Sequence, residues 1–231
     1  DYNIVSGNSL TGFTDITKMK EEGKISGQNR MSKWLRNDIS EVFKTRNEKL
    51  EEYKHSRGEE ADRIREKIEK LQENLDNLLN DHYVTYALDD GVDLSEEEIK
   101  NFGLFHWGAE FSKVYDPEKS YEKRGFDVVV GNPPYIKYRK IPENQRELLG
   151  ELQDYETPFH KYDISLPFVE RSQDLMSEDG ELGFIMTKKW LKSHYGEYLR
   201  KKLKEEQSVK ELIDFTDQQV FKGVTTYTLI I

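Results

Sequence analysis

The sequence contains no cysteine, which removes disulfides, thiolate zinc sites and cysteine nucleophiles together. It has no stretch approaching the roughly 20 consecutive apolar residues that a membrane helix needs. Its first residues lack the unbroken apolar segment of a secretory leader, and we expect a cytoplasmic protein. Proline is scarce, six in 231 residues, and none falls between Trp34 and Tyr86. Positive charge is in deficit, with 35 Lys and Arg against 45 Asp and Glu and a net charge of −10. A duplex-binding protein usually carries a basic footprint, so this balance counts against one spread over the whole chain. Basic residues do gather locally, at Lys137, Arg139 and Lys140 and at Lys188, Lys189 and Lys192. The chain opens on Asp1 and stops inside the apolar run from Tyr227 to Ile231. We read it as an excerpt of a longer polypeptide, holding one domain or one domain with an appendage.

Tyr2 to Val5 is a short strand candidate that runs into the turn-like segment Ser6-Gly7-Asn8-Ser9-Leu10, and residues 14 to 32 read as loop. From Trp34 to about Tyr86, Glu, Lys, Arg and Leu dominate. Ile64, Ile68, Leu71, Leu75 and Leu78 are spaced four, three, four and three, a heptad seam on a helix. Gly58 supplies a turn, so the expectation is a helical hairpin with a charged, solvated outer face. Phe102, Phe105, Trp107, Phe111 and Tyr115 then offer aromatic anchors. Phe126 to Gly131 is a β-branched run ending at glycine and reads as a buried parallel strand. Ile164, Phe168, Val169, Ser172, Leu175 and Met176 give a helical period over 161 to 177, broken at Asp179-Gly180. Further strands are expected over 182 to 186, 209 to 215 and 225 to 231, with a charged helix from Tyr198 to Glu206. Strands alternating with helices predict an α/β sheet covered on both faces. The last two strands, too close for a helix between them, should form an antiparallel pair at one edge.

Asn132-Pro133-Pro134-Tyr135 is the most informative segment. Each proline fixes φ and withholds a backbone donor, and the residue before a proline is pushed out of helical conformation. The chain therefore leaves the strand in a stiff, extended turn. Asn132 adds an amide that donates and accepts, and Tyr135 adds an aromatic face. Ligands of open α/β sheets sit at the carboxyl ends of strands. Acceptors held rigidly beside a ring at such a place suit a planar substrate bearing an amino group. Other candidates are plainer. His106 and His160 are isolated and form no metal site, Asp163 suits a helix cap, and Lys188 and Lys189 suit either a phosphate contact or a solvated loop.

The run from Phe126 to Ile136, with Phe105-His106-Trp107, Glu110-Phe111 and Val114-Tyr115 before it, resembles NPPY-type adenine-N6 DNA methyltransferases of the kind fused into large type IIG restriction-modification enzymes. Lys161 to Ile164, Glu170 to Ser172, Gly183 to Thr187, Gln219 to Phe221 and Thr225 to Thr228 are similar to later blocks of that family. Asn3 to Leu10 is similar to its cofactor-side motif. The resemblance implies a Rossmann-like, S-adenosylmethionine-dependent core, here partial, with an α-helical hairpin insertion. Residues 1–33 would be the cofactor-side strand and loop, 34–88 the hairpin, and 89–231 the catalytic part. It implies that Asn132 and the Pro133 carbonyl accept hydrogen bonds from an adenine amino group, with Pro134 stiffening the turn. Tyr135 and Phe221 would stack on a flipped base, and Asn8 would stand near the cofactor. The partners implied are double-stranded DNA, met largely through parts outside this chain, and a subunit or domain on the hairpin.

The sequence departs from the family in three ways. Asn8 stands where relatives usually have Asp, the glycine-rich cofactor turn is missing, and no residues remain for target recognition, so the excerpt alone is expected to be inactive. The absent cysteine excludes carbon-5 cytosine methylation, and Asn132 rather than Ser favours adenine over cytosine-N4. The alternatives are a protein-glutamine or RNA-base N-methyltransferase, which shares Asn-Pro-Pro-Tyr, and a non-catalytic interaction module built on the hairpin.

Overall fold

A computed structural model describes residues 4–16, 33–116, 119–152, 155–216 and 228–231. These fall into two compact units, residues 1–91 with 95–118, and residues 92–94 with 119–231.

The first unit is helical. Helices α1 (Lys33–His55) and α2 (Glu59–Asp89) are joined at Gly58, whose φ of 59 suits a residue without Cβ. They fold back on each other, burying Ile39 and Phe43 of α1 with Leu75 and Leu79 of α2. The seam differs in detail from the expected heptad. Ile64, Ile68, Leu75 and Leu79 are buried while Leu71 and Leu78 are only half-buried. A straight helix has 3.6 residues per turn, so the contact line drifts off a strict seven-residue repeat. Helix α3 (Glu96–Lys100) begins with a Ser95/Glu98 capping box, and α4 (Trp107–Glu110) is a single turn. Of the expected first strand, residues 4 and 5 have no regular structure, and in the segment that follows Asn8 makes a bridge to Leu104. Residues 2 and 3 lie outside the described residues.

The aromatic anchors pack as a chain. Phe105 meets Trp107 edge-on, and Trp107 stacks on Phe111. Phe13 stacks on both His82 and His106. His106 is buried, its Nδ1 accepting from the Phe13 N–H at 3.1 Å and its Nε2 standing 3.1 Å from Asn80 Oδ1. With Nδ1 accepting, the proton sits on Nε2.

The second unit is a four-stranded sheet with helices. Its strands are β1 (Phe126–Gly131), β2 (Met176–Thr187), β3 (Ile213–Asp214) and β4 (Thr228–Ile230), in the order β1-β2-β4-β3. β1 and β2 are parallel, and β4 runs antiparallel to both β2 and β3. The final strands do pair antiparallel, with β3 at the edge. Helices α5 (Glu143–Glu151), α6 (Ser165–Leu175) and α7 (Glu197–Glu205) complete the unit. Leu166 and Val169 of α6 and Leu199 and Leu203 of α7 pack with Phe184, Met186 and Leu229 of the sheet, and Val129 joins them. Fully burying such side chains contributes roughly 1.5–3 kcal/mol each.

The sheet departs from expectation in four places. Among the described residues β1 is an outer strand, with Val128 62% and Val130 75% exposed, and none of them covers the face those two share, where two covered faces were expected. α6 passes directly into β2 at Met176, and Asp179-Gly180 is no break. It lies in a bulge, where β1 advances from Phe126 to Val128 while β2 advances from Met176 to Glu181. A Cβ on Gly180 would stand 2.8 Å from the Phe126 carbonyl oxygen. The helix expected over 161 to 177 spans only 165 to 175. The strand expected over 209 to 215 pairs only at Ile213 and Asp214, leaving Val209, Leu212 and Ile213 exposed. Among the described residues no helix is long and apolar enough to cross a membrane.

Candidate active site

The stiff turn leaves the carboxyl end of β1. At Gly131 the backbone is pressed against Phe184, where a Cβ would stand 2.9 Å from the ring. Asn132 and Pro134 are exposed, Pro133 is buried and Tyr135 is half-buried. The limb beyond the turn is fastened to the segment before α6. Ile164 N–H donates to the Ile136 carbonyl at 3.0 Å, Tyr138 N–H donates to the Tyr162 carbonyl at 3.0 Å, and Lys137 and Asp163 form an antiparallel bridge. Arg146 lies 4.6 Å over the Tyr138 ring. The reactive-looking amide is therefore carried on a turn held from both sides.

Tyr135 ties this turn to β2. Its hydroxyl oxygen is 2.7 Å from Asn132 Oδ1 and 2.8 Å from the Ile185 carbonyl oxygen. The register explains why that carbonyl needs a side-chain donor. Phe184 exchanges both backbone bonds with Ile231, so the polar groups of Ile185 face β1. With Gly131 opposite Phe184, the next ladder donor on β1 is residue 133, a proline without N–H. The tyrosine hydroxyl fills the place the proline vacates. Burial, and secondarily the charge of Asp163, raises the Tyr135 pKa, so the hydroxyl keeps its proton at neutral pH.

Asp163 is buried, and its Oδ1 accepts from the Ser165 N–H at 3.1 Å and the Ser165 hydroxyl at 2.8 Å. It thus braces the turn ahead of α6, one residue before the position expected of a cap, since the N-cap is Ile164 and has no side-chain cap bond. Burial raises its pKa, while the Ser165 bonds and the positive charges of Lys137 and Lys189 oppose that rise. Lys188 is drawn to β3, with Nζ 3.2 Å from Asp214 and 3.0 Å from the Thr216 carbonyl, while Lys189 is exposed. Among the described residues no three His, Asp or Glu gather in a metal-holding group.

The structure thus unites Asn132, Pro133, Pro134 and Tyr135 at one strand end. Asn8 lies in the other unit, where its Oδ1 accepts from the Leu10 N–H at 3.2 Å and its N–H donates to the Gly103 carbonyl at 3.1 Å. That is the work of a turn residue. Phe221 lies outside the described residues. One contributor escaped the sequence reading: the Ile185 carbonyl, which has no residue-type signal, since any amino acid supplies one. Glu170, in a block that resembles the family, is buried and accepts from the N–H groups of Glu156 and Thr157, each at 2.9 Å, and from the Thr157 hydroxyl.

A mixed α/β unit with this turn at the end of a parallel strand is compatible with a methyltransferase fold. Residues 14–221 match the Eco57I restriction-modification methylase family, and the chain belongs to it. Among curated relatives, it is 40% identical over 107 residues to the type II methyltransferase M.XhoI of Xanthomonas vasicola, covering 46% of this chain and 19% of that protein. It is 37% identical over 107 residues to the type II restriction enzyme and methyltransferase RM.Eco57I of Escherichia coli, covering 46% and 11%. It is 41% identical over 97 residues to the type II methyltransferase M.PaeR7I of Pseudomonas aeruginosa, covering 42% and 16%. The chain thus matches at most 19% of the length of any of these three.

Proposed function

We propose that this chain is the catalytic part of a site-specific DNA methyltransferase that methylates the N6 amino group of a flipped adenine within a restriction-modification system. The observation that carries this reading is the Asn132 amide, exposed on a proline-stiffened turn at the end of β1 and braced by Tyr135. Asn132 Oδ1 and the Pro133 carbonyl accept the two amino hydrogens of the base. Accepting them draws the nitrogen lone pair out of the ring and leaves it nucleophilic. Tyr135 lays its ring on the base, and Phe221 holds the other face. Stacking of this kind is worth roughly 1–3 kcal/mol per base, comparable to the cost of extruding it. Membership of a restriction-modification methylase family and the names of the relatives support a DNA substrate.

The methyl donor in this reading is S-adenosylmethionine, which supplies a sulfonium methyl. The described residues do not form its cradle. Gly7 and Gly12 are packed against Phe105, where a Cβ on either would stand 2.3 Å from its atoms, so close packing within the unit accounts for both glycines. Asn8 is the candidate cofactor contact in the cofactor-side motif, of which residues 4–10 are described. In this reading the chain contributes the amino-group acceptors and Asn8 one contact to the donor.

The test is Asn132→Ala in the full-length enzyme. Single-turnover methylation should fall on the order of 100-fold or more, as for loss of a preorganised group facing transition-state charge, with DNA binding little changed. A rate near wild type would sink the assignment.

A further inference from the structure

The Tyr135 hydroxyl has one proton and two oxygen neighbours, Asn132 Oδ1 at 2.7 Å and the Ile185 carbonyl at 2.8 Å. Both are acceptors, and a hydroxyl donates to one at a time. The carbonyl is fixed in β2, cannot turn, and faces a proline that gives it nothing. The Asn132 amide can turn end for end about its last side-chain bond, exchanging Oδ1 and Nδ2 in nearly the same envelope. Only one arrangement satisfies all three groups. Tyr135 O–H donates to Ile185, the Tyr135 oxygen accepts from Asn132 Nδ2–H, and Oδ1 turns to the exposed side.

We infer that the Tyr135 hydroxyl is a positioning group that sets the orientation of the Asn132 amide, taking its N–H and presenting its oxygen to the substrate amino group. The inference rests on the proposed function and adds a second duty to the tyrosine, separate from its ring. The rotation breaks no covalent bond and moves no proton between atoms. A hydrogen-bond chain from amide to hydroxyl to carbonyl also polarises the amide, strengthening Oδ1 as an acceptor. Without the hydroxyl, the amide is free to present Nδ2, whose hydrogens repel an amino group.

The two duties separate in the full-length enzyme. Tyr135→Phe keeps the ring and removes the hydroxyl. The single-turnover methylation rate should fall about tenfold, the effect of losing roughly one hydrogen bond, with 2-aminopurine fluorescence at the target position unchanged. Tyr135→Ala should lose both the rate and the fluorescence. Placing 3-fluorotyrosine at 135 keeps a hydroxyl that both donates and accepts and should keep most of the rate, and an unchanged melting temperature in Tyr135→Phe separates positioning from any loss of folding. A wild-type rate in Tyr135→Phe, a rate loss matched by lost fluorescence, or a rate with the fluoro analogue as low as that of Tyr135→Phe would each overturn the inference. If Asn132→Ala is inactive while Tyr135→Phe is fully active, this inference alone fails. If Asn132→Ala is active, the proposed function fails with it.

Discussion

At the residue scale, the site depends on how closely β1 and β2 approach. Gly131 is a space requirement. Its added Cβ would meet Phe184 at 2.9 Å, and Phe184 is buried among Leu166, Met186 and Leu229, so it has little freedom to yield. Gly131→Ala should destabilise the protein by about 1–3 kcal/mol, the usual cost of overpacking. Phe184→Leu in the same chain should recover part of that loss in a denaturant titration. An alanine variant as stable as wild type would show that the ring moves freely. The turn that follows was legible in the sequence because proline acts covalently and locally, on φ, on its own donor and on the residue before it. The Tyr135–Ile185 bond was not legible, because it depends on a register set 50 residues away.

At the element scale, α6 holds more than its own length. Glu170 points inward and gathers the backbone N–H groups of Glu156 and Thr157, and Arg171 Nε donates to the Tyr155 hydroxyl at 2.8 Å. Burial raises the Glu170 pKa, and the hydrogen bonds it accepts oppose the rise. Glu170→Gln replaces one accepting oxygen with a donor facing other donors. It should cost about 1–3 kcal/mol, the penalty for an unsatisfied buried group, and speed hydrogen exchange at 156 and 157 in particular. Uniform exchange in the variant would argue that the clamp is incidental. Helices were legible where apolar residues recur with helical period, as in α2, and where proline is absent and charged residues dominate, as in α1 and α7. The pattern failed at 176 to 181, where glycine and acidic residues mark a bulge within β2 and not a stop. A bulge is defined by the facing strand, and a single segment carries no sign of its partner.

At the scale of the whole molecule, acidity acts on the helical unit through two buried imidazoles. Burial lowers the His82 pKa to about 4 and the His106 pKa to about 3, and in His106 the nearby His82 adds to the effect. A base whose folded pKa is depressed contributes stability that is complete above its unfolded value and is lost as pH falls through it. The window opens below the ordinary imidazole value of 6.5 and runs down toward pH 4 and 3. Asp76 and Glu110, raised by burial, act in the opposite sense. Melting temperature should therefore fall between pH 7.5 and 5, and His106→Gln, which can still accept from Phe13 and donate to Asn80, should flatten that slope. An unchanged slope would assign the acid sensitivity elsewhere.

The bare side of β1 has a consequence for handling the protein in solution. Val128 and Val130 stand out on a strand paired only with β2 among the described residues. Such an edge is a template on which further strands can add. In a flask, the template nearest to hand is another molecule of the same kind. Prepared by itself, this chain should become turbid with rising concentration, faster in high salt, where its surplus of negative charge no longer keeps molecules apart. Val130→Lys places a gatekeeper charge on the bare face and should delay the onset of light scattering while leaving the melting temperature nearly unchanged. Equal turbidity in the variant would place the sticky surface elsewhere, with exposed Val209, Leu212 and Ile213 the next to change.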